Sequence, residues 1–259
     1  MTPSPGEDNA VHTSRRAGAD ADDMAGCGID RPDVRSADGL GGVLGNERLT
    51  ALAGGILLVL IVVELVTTAR LRTFMSAHVV VGMLLAGPLA VKLGGTGYRF
   101  ARYYTRAPAY VRRGPPQLAL RVLGPLLVAM TLVVVGSGIG LMVTGPGNAG
   151  PLLPLHGFSV LVFLPLMAIH LVAHLLATPP LVADEWSTAT VAQAPGRGLR
   201  MGVNLGALVL GVLGAILLLP TTTPWIAWSQ TNGRVPAPVI VGTLLAIVAL
   251  LATRPLRWR

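Results

Sequence analysis

Between Val122 and Ala183 the chain carries no Asp, Glu, Lys or Arg, a run of 62 residues. No water-soluble core accommodates such a stretch, because soluble domains of ordinary composition are about a quarter charged. A bilayer-spanning helix needs about 20 apolar residues. The run is too long for one span, and Gly145-Pro146-Gly147-Asn148 with Pro151 and Pro154 breaks it in two. It therefore predicts spans at 121–144 and 155–178. Similar apolar runs at 49–69, 73–91, 201–219 and 236–252 bring the expected total to six. Composition agrees, with 52% apolar and 12% charged residues. The expected fold is all-α and polytopic: a four-helix membrane domain over 49–178, then a two-helix extension over 179–259 with a basic C-terminus.

The first 48 residues differ from the rest. Residues 1–47 hold nine of the twelve acids against four arginines and few large apolar side chains. Such a segment cannot bury enough surface to offset its ordering entropy, so 1–48 is expected to be a disordered acidic tail. It has no apolar stretch of the kind a secretory signal requires. The single cysteine, Cys27, lies in it. One cysteine excludes intramolecular disulfides, iron–sulfur ligation, CxxC zinc sites and covalent c-type haem.

The net charge of +8 is a statement about topology. Seventeen of the twenty cations fall in the tail through Arg48, in 92–121, in 180–200 and at the C-terminus. Only Arg70, Arg72 and Arg234 fall on the opposite side. The positive-inside rule then places both termini in the cytoplasm, as expected of a multi-pass protein of the cell's inner membrane. With the cations so accounted for, a nucleic-acid surface is not expected.

With so little charge in the spans, the ionisable residues there stand out. Apart from His12, every histidine lies within a span: His78, His156, His170 and His174. Such residues are costly in a bilayer and mark functional sites. In the six-span topology, spans two and four run parallel, so His78 and His156 lie at similar depth near the outer face. His170 follows His156 by 14 residues, about 21 Å deeper and 40° short of full turns. His174 follows by 18, five whole turns. Span two repeats the 14-residue interval from His78 to Lys92, and span three carries Gly124 and Gly138 at the corresponding depths. Gly138 suits close approach of a flat group or plain helix packing, Gly124 suits packing first, and Gly136 with Gly140 form a small-xxx-small pattern that reads as helix packing. Glu64 either pairs with Arg70 or Arg72 at the surface, or orients His78, or carries protons.

Two imidazoles facing each other at equal depth suit the axial positions of a b-type haem iron. Zinc would demand a third or fourth ligand, and only Glu64 is in reach. A histidine-lined metal or transport pathway, and a cofactor-free scaffold whose histidines link helices by hydrogen bonds, are the alternatives.

These residues carry a resemblance. His78 in span two, Leu155-His156 opening span four and His170-x-x-x-His174 resemble the four-helix membrane cytochromes b: the b-type subunits of formate dehydrogenases and nickel–iron hydrogenases, and the wider cytochrome b561-like group. The resemblance covers roughly 49–178. It implies electron transfer between an oxidoreductase partner subunit and quinone, rather than self-contained catalysis. It also implies haem b near the outer face with His78 and His156 as axial ligands. A second, inner haem would take His170 or His174. Two-haem members carry its other ligand near the start of span one, where this chain has Leu44-Gly45-Asn46-Glu47-Arg48 and no histidine. One haem or two thus stays open. Lys92 would pair with a propionate or reach the interface. Segment 95–117, Gly-Thr-Gly-Tyr-Arg-Phe-Ala-Arg-Tyr-Tyr-Thr-Arg-Ala-Pro-Ala-Tyr-Val-Arg-Arg-Gly-Pro-Pro-Gln, resembles actinobacterial membrane cytochromes associated with molybdopterin-type oxidoreductases. It holds all four tyrosines. It is expected to be an interfacial loop in which Arg99 or Arg102 meets anionic headgroups or haem propionates, or which docks a partner.

Overall fold

The computed structural model describes residues 42–114, 118–174, 181–183, 196–232 and 236–252. All of them belong to one unit, Asp38–Arg259. His12 and Cys27 lie outside the described residues.

The described residues are helical, with no strand among them. α1 spans Val43–Ala69, α2 Leu71–Tyr104, and α3, a short helix, Pro108–Arg113. α4 spans Leu118–Thr144 and α5 Leu152–His174. α6 spans Arg197–Leu218, followed by a 3-10 turn, Leu219–Thr222, then α7, Thr223–Asn232, and α8, Ala237–Ala252. In hydrocarbon every backbone polar group must be satisfied within the segment, and the helix does this.

The outer surface is apolar, unlike that of a soluble protein, and several small or polar side chains lie inside beside the apolar ones. Large apolar side chains such as Val59, Val66, Leu132, Val143, Leu205, Leu217 and Val248 face outward. Small or polar side chains face inward: Asn46, Ala53, Ser137, Ser159, Asn204 and Ser229 are buried. Five stretches are long and apolar enough to cross a bilayer: Val43–Ala69, Leu71–Tyr104, Leu120–Thr144, Leu152–His174 and Arg197–Asn232. The chain is a multi-pass membrane protein on that criterion.

Three expectations change. Helix begins at Val43, so the last residues of the expected tail 1–48 belong to α1. α2 does not end at residue 91 but runs on to Tyr104. The apolar run stops at the first charges, yet no proline follows Pro88 until Pro108, and arginine is a good helix former. Most of the described part of the expected loop at 95–117 is therefore helix, with a turn at Thr105–Ala107, where Arg106 adopts a φ of 58°, and a break at Gly114, φ 77°. The sixth expected span is a helix of 16 residues, Ala237–Ala252, about 24 Å long at 1.5 Å per residue. That is short of the ~30 Å hydrocarbon core.

The helices form two groups. α1 packs on α2 and α2 on α6, while α4 packs on α5 and α5 on α8. The two central helices share a device. Pro88 in α2 and Pro165 in α5 each lack the amide that would bond the carbonyl four residues earlier. A glycine of the neighbouring helix comes up against that carbonyl. A Cβ on Gly211 of α6 would lie 3.2 Å from the oxygen of Leu84, and one on Gly242 of α8 would lie 3.2 Å from that of Leu161. Close Cα–H···O approach of this kind is a recurrent helix–helix contact.

The backbones of the two groups meet only sparsely. Between them lies a cavity of about 2480 Å³. Near His78 an apolar cluster of Leu71, Met75, Val79, Leu141, Met142 and Trp225 joins the groups. α7 supplies the tryptophan, whose Nε1–H donates to the carbonyl of Leu141 at 3.2 Å. The Gln230 amide reaches the carbonyl of Arg72 at 2.9 Å. The region 201–252 thus contributes a cap over one end of the cavity as well as helices flanking α2 and α5.

Candidate functional site

All seven residues expected to hold a cofactor, His78, His156, His170, His174, Lys92, Gly138 and Arg99, line that one cavity, as does Glu64. They fall into two sets.

The first set is His78 on α2 and His156 on α5. The His78 Nδ1 lies 2.9 Å from Glu64 Oε1 and 3.1 Å from Thr68 Oγ1. The Thr68 hydroxyl is committed as donor to the Glu64 carbonyl at 2.7 Å, and an ionised carboxylate only accepts. With Glu64 as the acceptor, the proton between them sits on Nδ1, which leaves Nε2 for a second partner. Thr67 steadies the other carboxylate oxygen at 3.2 Å. Gly82 of α2 leaves room, since a Cβ there would lie 3.4 Å from Glu64 Oε1. Of the three roles open to Glu64, the geometry is that of orienting His78. Among the described residues it makes no ion pair with Arg70 or Arg72.

The same logic holds across the cavity with different partners. The His156 Nδ1 lies 3.1 Å from the Val134 carbonyl oxygen and 3.0 Å from Ser137 Oγ. A carbonyl is an acceptor, so Nδ1 is again the protonated nitrogen and Nε2 the free one. Gly138 makes this possible, because a Cβ there would stand 3.3 Å from His156 Cε1. Its missing side chain is filled by the edge of that imidazole. Gly124 and Gly136 differ, since a Cβ on either would meet nothing within 4 Å. The two imidazoles are near enough to act on each other electrostatically. Among the described residues, neither Nε2 has a hydrogen-bond partner.

The second set lies deeper along both helices. His170 and His174 sit one turn apart on α5, ring centroids 4.5 Å apart and inclined at 50°. Lys92 of α2 is close enough to both to act on them electrostatically. Its ammonium, however, crosses to α1 and donates to the Thr50 carbonyl at 2.9 Å. It does so over Gly54, where a Cβ would lie 3.2 Å from Nζ. Arg99 lies 3.6 Å from Glu47, which Arg113 grips with two bonds of 3.1 and 3.0 Å. In place of a free propionate-binding pair, Lys92 and Arg99 tie α2 to α1. Beside them Tyr110 packs edge-on against Tyr98 at 6.0 Å. Burial first, and the Tyr98 phenol second, raise the Tyr110 hydroxyl above its ordinary value of 10.0.

The donor set separates two chemistries. No group of three or more His, Cys, Asp or Glu side chains converges on a point among the described residues, so a zinc-type shell is not assembled there. Two Nε2 lone pairs facing an apolar space suit a planar group with two open axial positions. Sequence reasoning missed the residues that fix the tautomers. Thr68 was legible in principle, four residues after Glu64 on one helix face. Ser137 and the Val134 carbonyl carry no signal apart from their closeness to Gly138. No model of a protein family, no curated protein and no solved structure matches the chain.

Proposed function

We propose that the chain is an integral-membrane b-type cytochrome that passes electrons between an oxidoreductase partner subunit and quinone. The observation that carries this reading is the paired geometry of His78 and His156. Each comes from a different helix group, has Nδ1 tied to a fixed acceptor, and presents an unbonded Nε2 to one apolar cavity. Tying down the far nitrogen is how proteins orient a metal-binding histidine.

A haem b held by His78 and His156 supplies one-electron chemistry in the cell membrane. The chain's own residues do the rest. Glu64 and Thr68 set the ring of His78, while Val134 and Ser137 set that of His156, with Gly138 giving that ring its place. The α7 tryptophans close one end against water. One haem per chain is the expected content, because among the described residues no histidine of another helix stands beside His170 or His174, and Lys92 is spent on Thr50. In this reading α8 is the sixth crossing, which places both termini in the cytoplasm.

The test is a reduced-minus-oxidised spectrum of the purified protein. A b-type α band is expected in the wild type and lost in both His78→Ala and His156→Ala. Protein that stays colourless when expressed with ample haem would refute the reading. Stoichiometric zinc or copper without haem would support the metal-pathway alternative instead.

A further inference from the structure

The two histidines are not equivalent, and the difference is one of charge. His156 donates to a carbonyl and a hydroxyl, both neutral. His78 donates to a carboxylate at 2.9 Å. From this asymmetry we infer that Glu64 is a positioning residue that gives His78 imidazolate character, making it the more strongly donating of the two ligands. The inference rests on the haem reading and goes beyond it to the electronic tuning of that site.

The structure equips Glu64 for this role in three ways. Its carboxylate is held at one oxygen by His78 at 2.9 Å, with the Thr67 hydroxyl, which donates first to the Glu64 carbonyl at 2.8 Å, lying 3.2 Å from the other. Arg70 and Arg72 follow it by six and eight residues, yet neither pairs with it among the described residues. Its side chain is only 20% exposed, so the charge is poorly screened where it meets the ring. A carboxylate bonded to the outer nitrogen of a metal-bound imidazole raises that ligand's basicity. Iron so ligated favours the ferric state, because the added negative charge offsets the ferric charge more than the ferrous. Glu64 therefore lowers the reduction potential without touching the iron, and Ser137 on the opposite ligand has no comparable effect.

Redox titration of the purified, haem-loaded protein with its Glu64→Gln variant tests this. Glutamine keeps the shape and an acceptor oxygen but removes the charge. The expected result is a more positive midpoint, seen as at least a tenfold higher ferrous-to-ferric ratio at the wild-type midpoint potential, equivalent to 59 mV for one electron. Glu64→Asp, which keeps the charge, should stay near the wild type, and Ser137→Ala should shift the ratio far less than Glu64→Gln. A haem-loaded Glu64→Gln with an unchanged midpoint overturns the inference while leaving the haem reading intact. Absence of an α band in the wild type overturns both. Should Glu64→Gln lose its haem, the ferric spin-resonance spectrum of the wild type decides. A ligand field with one imidazolate supports the inference, and one of two neutral imidazoles overturns it.

Discussion

The two ends of the cavity draw on the same two helices and arrive at different chemistry. At one end, His78 of α2 and His156 of α5 line the cavity within electrostatic reach of one another. At the other, 14 residues along each helix, stand Lys92 and His170. What separates the ends is the partner each side chain finds. The first pair is held by α1 and α4, through Glu64, Thr68, Val134 and Ser137, which engage the Nδ1 of each ring. In the second, the α2 residue is drawn back to α1 by the Thr50 carbonyl, and the two imidazoles lie on one helix rather than opposite one another. Equal spacing makes a site only where the neighbouring helices push both side chains into the gap.

Breaking the first pair should have the largest effect. In the proposed reading His78→Ala or His156→Ala would each remove an axial ligand, and either is expected to abolish the b-type α band at unchanged protein yield. Next comes Gly138→Leu. With a Cβ already 3.3 Å from the His156 ring, three further carbons displace the imidazole, and most of the haem should be lost on purification. Gly124→Leu, set in open space, should retain it, and comparing the two by haem-to-protein ratio sharpens the contrast within α4. At the other end the effects are smaller. Lys92→Met removes one buried cross-helix hydrogen bond, and thermal unfolding in detergent should report a loss of about 1 kcal/mol with the α band intact. Smallest of all, His170→Ala and His174→Ala should leave the α band unchanged in position and intensity. Loss of half the haem in either variant would show that the deeper end holds a second one.

Much of this arrangement was legible in residue order. Hydropathy located the helices, because a run without charge from Val122 to Ala183 admits few other folds. Helical arithmetic put His156, His170 and His174 on one face of α5, and all three line the cavity. The extension of α2 to Tyr104 was hidden because hydropathy reports where lipid ends, while the helix ends where its backbone bonding ends. The second partners of the histidines were hidden for another reason. Ser137, Thr68 and a main-chain carbonyl are generic groups, and only the packing of α1 on α2 and of α4 on α5 gives them a role. The cap formed by α7 was equally silent, since the position of Trp225 above Leu141 depends on how α6 returns along α2.

The central claim is that His78 and His156 jointly hold one haem. Haem content per chain, measured with the reduced-minus-oxidised spectrum for the wild type and both single alanine variants, tests it most directly. The expected result is one haem b per wild-type chain and none in either variant. A wild type without haem, or an α band that survives in both variants, would contradict it.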